Sequence, residues 1–167
     1  EVDIETGAVH IVKLVFVHDC GRILHPMIVE GQLLGGIAHG IGNALFEWMR
    51  YDDDGQPLCG TLADSLLVTA TEMPFIELAH HESPTPLNPL GIKGVGECGV
   101  IPIAPAVLSA VEAAPAPFVA RRTRQPSPPR AIVAMVTPRK PDMSVRFDDS
   151  ATPLDDFAHP PGHTARA

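Results

Sequence analysis

A chain of 167 residues, 45% hydrophobic and 19% charged, is long enough for one domain and apolar enough to bury a core. Its formal net charge of -8 argues against nucleic acid as a partner, because binding phosphates needs a basic face. No apolar run reaches the length of a membrane span, and Cys20, Cys59 and Cys98 form no CxxC pair of the kind a structural zinc site uses. The acidic start, Glu1-Val2-Asp3-Ile4-Glu5, has no signal-peptide form, so the thiols are expected to stay reduced in a cytoplasmic setting. The chain opens on strand-like text without a Met and is read as having lost its natural beginning.

Glu1 to Asp19 predicts a hairpin. Val2-Asp3-Ile4 alternates, Glu5-Thr6-Gly7 turns, and Val9 to Val17 is a long β-rich run that Gly21 closes. Pro26 suits a first helical residue. From Met27 to Met49 the apolar residues Leu34, Ile37, Ala38, Ile41, Leu45 and Trp48 recur at helical spacing. Gly31, Gly35, Gly36, Gly40 and Gly42 lie inside this run, and each costs roughly 1 kcal/mol against alanine in a helix interior. A helix carrying them needs a compensating close approach to another element or a ligand, so a glycine-lined face is expected.

Tyr51 to Gln56 reads as a turn, and Leu62 to Thr71 as either helix or irregular chain. Phe75 to Leu78 predicts a short strand and Ser83 to Pro89 a proline-rich connection. Gly91 to Gly99 is a glycine-rich loop, and Ile101 to Ala114 a helix with Ala104, Val107, Leu108 and Val111 on one face. Phe118 to Thr123 suggests a final strand, and Pro128 to Met135 a short helix capped by Ser127. The expected fold class is α+β, a mixed sheet with two main helices. Residues 1–135 form one lobe and 136–167 a disordered Pro-rich tail.

In Gly91-Ile92-Lys93-Gly94-Val95-Gly96-Glu97-Cys98-Gly99, four glycines let the backbone approach a ligand, and they surround one carboxylate. A partly desolvated Glu97 with an elevated pKa suits a general base, and Lys93 is a candidate partner. The absence of a following GK[ST] excludes a phosphate P-loop. Such a loop also fits a simple tight turn.

Three blocks bear on that choice: Val17-His18-Asp19-Cys20-Gly21-Arg22-Ile23-Leu24-His25-Pro26, then Glu30-Gly31-Gln32-Leu33-Leu34-Gly35-Gly36-Ile37-Ala38-His39-Gly40, then Pro86-Leu87-Asn88-Pro89-Leu90-Gly91-Ile92-Lys93-Gly94-Val95-Gly96-Glu97. In that order they resemble the C-terminal part of the molybdopterin-binding large subunits of the xanthine dehydrogenase, aldehyde oxidase and aerobic carbon monoxide dehydrogenase family. The resemblance runs over roughly residues 1 to 135.

It implies that this lobe belongs to a larger molybdenum-cofactor-binding domain, and that Glu97 takes the place of the family's base, removing a proton at the molybdenum centre. It implies cofactor contacts at Gln32, Gly35, Gly36, His39, Gly94 and Gly96, with His39 where many relatives carry glutamine. The cofactor implied is molybdopterin, plain or as its cytosine dinucleotide, with the metal held by the dithiolene and by no protein side chain. Partners implied are the remainder of the large subunit, iron–sulfur and flavin (FAD) subunits or domains, and a small aldehyde, heteroaromatic or carbon monoxide substrate. The chain alone is expected to bind cofactor weakly and be inactive. A truncated remnant that folds without activity, and a non-catalytic interaction domain, are the alternative readings.

Overall fold

A computed structural model describes residues 1–114 and 126–136. The elements run β1 (Lys13–His18), α1 (Pro26–Leu45), β2 (Phe75–His80), α2 (Ile103–Ala113) and α3 (Pro129–Val136). The expected strand at 118–123 and the tail from 137 lie outside the described residues.

The sheet departs from expectation. β1 and β2 pair in parallel, from Lys13 opposite Phe75 to His18 opposite His80. Among the described residues antiparallel pairing is confined to isolated bridges, so the sheet seen is parallel and not mixed. Parallel neighbours need a long crossover, and α1 is carried in it. The N-terminal hairpin exists only at its tip. Val2 bridges Val9, Asp3 N–H donates to the Ala8 carbonyl at 2.9 Å, and Gly7 turns with φ 73°. The second arm then leaves its partner, and β1 takes β2 as its neighbour instead.

Alternation decides the faces of the sheet. Phe16 and His18 are buried, while Leu14, Ile76 and Leu78 are half-buried on the same side and pack against the core. Val29, Leu33, Ile37, Ile41 and Ala44 form the buried stripe of α1, at steps of four and three. Ile103, Ala104, Val107 and Val111 do the same for α2, and Ile132 of α3 closes the cluster.

Pro26 opens α1 as predicted, with His25 Nδ1 accepting from the Ile28 N–H at 3.3 Å. The helix ends at Leu45, short of the expected Met49. The Gly42 carbonyl takes the N–H groups of both Phe46 and Glu47, at 2.9 and 2.8 Å, which breaks the ladder. Trp48 to Arg50 are then tied to Leu58 and Cys59, beyond the turn at 52–56. Arg50 N–H donates to Cys59 Sγ at 3.0 Å, and Leu58 N–H to the Arg50 carbonyl at 2.8 Å. The stretch 62–71 is turns and irregular chain.

Glycine lets α1 touch the loop that precedes α2. A Cβ on Gly36 would lie 2.9 Å from Gly99 Cα, and one on Gly99 would lie 2.6 Å from the Leu33 carbonyl oxygen. Backbone meets backbone there, with no flexible side chain to yield. Gly99→Ala is therefore expected to cost about 1–3 kcal/mol through forced separation of helix and loop. A urea-unfolding midpoint equal to that of the unsubstituted chain would contradict it.

Candidate functional site

The loop 91–99 is held at its start by the turn that ends β1. Gly21, at φ 70°, bridges Ile92, and a Cβ there would run into the Gly91 carbonyl. Arg22 N–H donates to the Gly91 carbonyl at 3.0 Å, and Lys93 N–H to the Cys20 carbonyl at 2.8 Å. Asn88 clamps Ile92 from the other side, accepting from its N–H at 3.1 Å and donating to its carbonyl at 2.9 Å.

Asp19 ties these pieces together. One carboxylate oxygen accepts from the Gly21 and Ser83 N–H groups at 2.8 and 3.2 Å. The other accepts from the Ser83 hydroxyl and from Lys93 Nζ, the latter at 2.8 Å. Lys93 Nζ also donates to Ser83 Oγ at 2.6 Å. The Lys93 ammonium first, then the Ser83 hydroxyl and the Gly21 N–H, hold the Asp19 carboxyl well below the usual carboxylate range. Lys93 is thus the partner of Asp19, and the expected pairing with Glu97 is not formed.

Beyond Lys93 the loop crosses the glycine face of α1. The two enclose a cleft of about 430 Å³ lined by Gly31, Gln32, Gly35, Gly36 and His39 from the helix and Gly96, Glu97 and Val100 from the loop. Six of the seven residues singled out in the sequence meet there: Glu97, Gln32, Gly35, Gly36, His39 and Gly96. Gly94 is exposed but is not part of the lining. Gly31 and Val100 were missed. Gly31 was legible from its position one helical turn before Gly35, whereas Val100 carries no chemical signal.

Cβ atoms built at Gly31, Gly35, Gly94 and Gly96 meet nothing within 4 Å. The helix glycines therefore serve two purposes: Gly36 admits the loop, while Gly31 and Gly35 leave free space above the backbone. Glu97 is exposed, and its carboxylate makes no hydrogen bond or ion pair among the described residues. The expected desolvation of this group is not supplied by the chain alone. Its backbone carbonyl accepts from the Val100 and Ile101 N–H groups at 3.1 and 3.4 Å, which starts the turn into α2. Another cleft, about 460 Å³, lies between the flank of β1 and α2, with a largely apolar lining that includes Val9, Ile11, Leu14, Val107 and Val111. Convergent polar groups, the mark of a chemical site, belong to the cleft at Glu97.

A sequence profile of the family described as Molybdopterin cofactor-binding domain matches residues 1–74. The chain is 40% identical over 133 residues to the nicotine 6-hydroxylase large subunit of Paenarthrobacter nicotinovorans, covering 80% of this chain and 16% of that protein. It is 37% identical over 111 residues to the carbon monoxide dehydrogenase large chain of Hydrogenophaga pseudoflava, covering 66% and 14%. Among solved structures it resembles quinoline 2-oxidoreductase from Pseudomonas putida 86, with a TM-score of 0.77 and 43% identity, covering 81% of this chain and 17% of that one. The chain spans about a sixth of the length of these relatives.

The depressed titration of Asp19 has a definite sign. Its contribution to stability is present above the unfolded carboxyl pKa, near 4, and is lost as pH falls through the lower folded value. Asp19→Asn is expected to lower the melting temperature at neutral pH and to flatten the loss of stability on acidification below about pH 4. Thermal melts of both chains across that range check this, and identical curves would rule the clasp out as a stabilising element.

Proposed function

We propose, from the premise that this chain belongs to the molybdopterin-binding large-subunit family of the molybdenum hydroxylases, that its cleft is one wall of the cofactor and substrate site and that Glu97 is the general base. The observation that carries the reading is the shared cleft. Glu97 faces the same 430 Å³ space as Gln32, Gly35, Gly36 and His39, although its loop is far from α1 in sequence.

The residues fit the group. Gly31 and Gly35 leave room that a Cβ would fill, so a flat ring system can lie against the helix backbone. The Gln32 amide donates and accepts hydrogen bonds toward such a ring, and His39 offers a further ring nitrogen. Gly94 and Gly96 leave the loop open on either side of Val95. Molybdopterin, once bound, supplies the redox centre that takes the electrons from the substrate. Glu97 accepts the proton released as oxygen is added to the substrate carbon, and the loop clasped by Asp19 and Lys93 fixes where that carboxylate stands.

The other walls belong to the remainder of the large subunit, because the cleft is open and Glu97 is exposed in this chain. Closure by that remainder would exclude water and desolvate the carboxylate, strengthening it as a base. Iron–sulfur and flavin domains or subunits would carry the electrons away. The substrate is a small aldehyde, a heteroaromatic ring or carbon monoxide. The relatives named for nicotine and quinoline favour the heteroaromatic class.

In an assembled large subunit, Glu97→Gln is expected to lower turnover by about a hundred- to ten-thousandfold while molybdenum content stays unchanged. Steady-state rates together with metal analysis of the purified protein test this. If the chain co-produced with the upstream part of its subunit holds no molybdenum, the cofactor reading falls. Full turnover by the Glu97→Gln enzyme would remove Glu97 from its role.

A further inference from the structure

The ends of β1 and β2 carry a histidine each, His18 and His80, opposite one another in the parallel register. Their rings meet edge to face with centroids 5.0 Å apart, and the two Nδ1 atoms stand 3.1 Å apart in a hydrogen bond. His18 is 8% exposed and its Nε2 is buried with no partner, whereas His80 is exposed.

These facts select a tautomer. One proton lies between the two Nδ1 atoms. If His18 carries it, His18 Nε2 is a bare aromatic nitrogen in the core, and the Nε2–H of His80 belongs to an exposed residue. If His80 carries it, a neutral His18 must bear its own hydrogen on Nε2, burying a donor with nothing to accept it. An orphaned buried N–H is the rarer and costlier arrangement. The resting pair is therefore His18 Nδ1–H donating to His80 Nδ1.

Protonating His80 breaks this arrangement. A solvent proton on His80 Nδ1 faces the hydrogen of His18 Nδ1, two donors with no acceptor between them. Relief requires either separating the rings or shifting the His18 proton to Nε2, where it is orphaned. Protonating His18 itself is opposed first by burial and then by His80, with Asp19 acting the other way.

We propose that His18 and His80 form a proton-sensitive latch across the strand ends, whose opening on protonation loosens the Asp19–Ser83–Lys93 clasp and with it the Glu97 loop. Asp19 directly follows His18. His81 N–H donates to the His18 carbonyl at 2.9 Å, and Ser83 lies two residues further on. Both jaws of the clasp thus hang from the latched strand ends. Asp19 acts on His18 directly; next along the strand ends come Cys20, whose thiol pKa is raised by burial, Lys93 bonded to Asp19, His81, and Glu82, whose carboxylate accepts from the Ile23 N–H. The buried face of α1, with Val29, Leu33 and Ile37, carries none. Asp19 stays ionised far below neutrality, so histidine is the side chain that changes charge between about pH 5 and 8. As regulation of catalysis the latch rests on the reading of Glu97 given above; as a structural device it does not.

Nitrogen NMR of the imidazoles at neutral pH is expected to find His18 as the Nδ1–H tautomer and His80 as the Nε2–H tautomer. Amide exchange at Ile92 and Lys93, corrected for the intrinsic chemical rate, is expected to rise about tenfold between about pH 7 and 5.5. In His80→Asn the amide oxygen accepts from His18 at any pH, so the rise should vanish. The reverse tautomers, a flat profile in the unsubstituted chain, or an equal rise in His80→Asn would each overturn the latch. None of these readouts involves cofactor or turnover. Failure of the latch therefore leaves the cofactor assignment standing, and loss of the cofactor assignment leaves the latch standing.

Discussion

One carboxylate organises the site. Asp19 accepts from two backbone N–H groups, a hydroxyl and an ammonium, and these donors come from three separate stretches of chain. Each oxygen takes two donors, so the group is satisfied as an anion and is poorly served when protonated. The bond to Lys93 spans 74 residues and joins the end of β1 to the start of the glycine loop. That tie acts together with the backbone bonds of Cys20, Gly21 and Arg22 to the loop, and so helps to set the width of the cleft between α1 and the loop.

Much of this was legible in the sequence, and the reasons differ by element. The helical period of α1 was legible, and Ile37, Ile41 and Leu45 are buried as expected, but Leu34 and Trp48 are 41% and 44% exposed, and Leu33 and Ala44 take the core positions instead. The demand that five glycines in a helix be compensated pointed to the close approaches seen at Gly36 and Gly40. The pairing of β1 was not legible. A strand-like run records which residues face a core, but not which neighbour it joins, and the nearby hairpin was the natural guess. The end of α1 was misjudged because Trp48 and Met49 continue the apolar pattern, while the stop is a sharing of the Gly42 carbonyl that no periodicity reports.

The candidate site divides in the same way. Glu97, Gln32, Gly35 and His39 stood out through motif and resemblance, and the fold brings them to one cleft. The roles of the residues that position them were not legible, although Asp19 and Asn88 stand in the matching blocks. Asp19 and Ser83 are ordinary polar residues until the chain brings them together, and Lys93 was placed beside the wrong carboxylate because proximity in sequence stood in for proximity in space. Glu97 is less enclosed than a desolvated base should be. The same holds for the sheet, where Val15, Val17 and Phe75 are 57%, 62% and 69% exposed on its outer face. Parallel sheets are normally covered on both sides. Both features fit the proposal that this lobe packs against the remainder of a large subunit.

The pairing of β1 with β2 also governs when the site comes into being. His18 and His80 are 62 residues apart in the chain, and the approach of Gly36 to Gly99 and the bond of Asp19 to Lys93 are as long-range. Helix α1 can form locally, but the space beside it cannot exist until that long loop has closed. Non-local closure of this kind is slow, because its entropy is lost before any contact compensates for it. A folding chain therefore exposes the apolar stripe of α1 well before it can offer a binding surface. A ligand that fits the finished cleft would act on the last step of folding, stabilising the closed form by mass action.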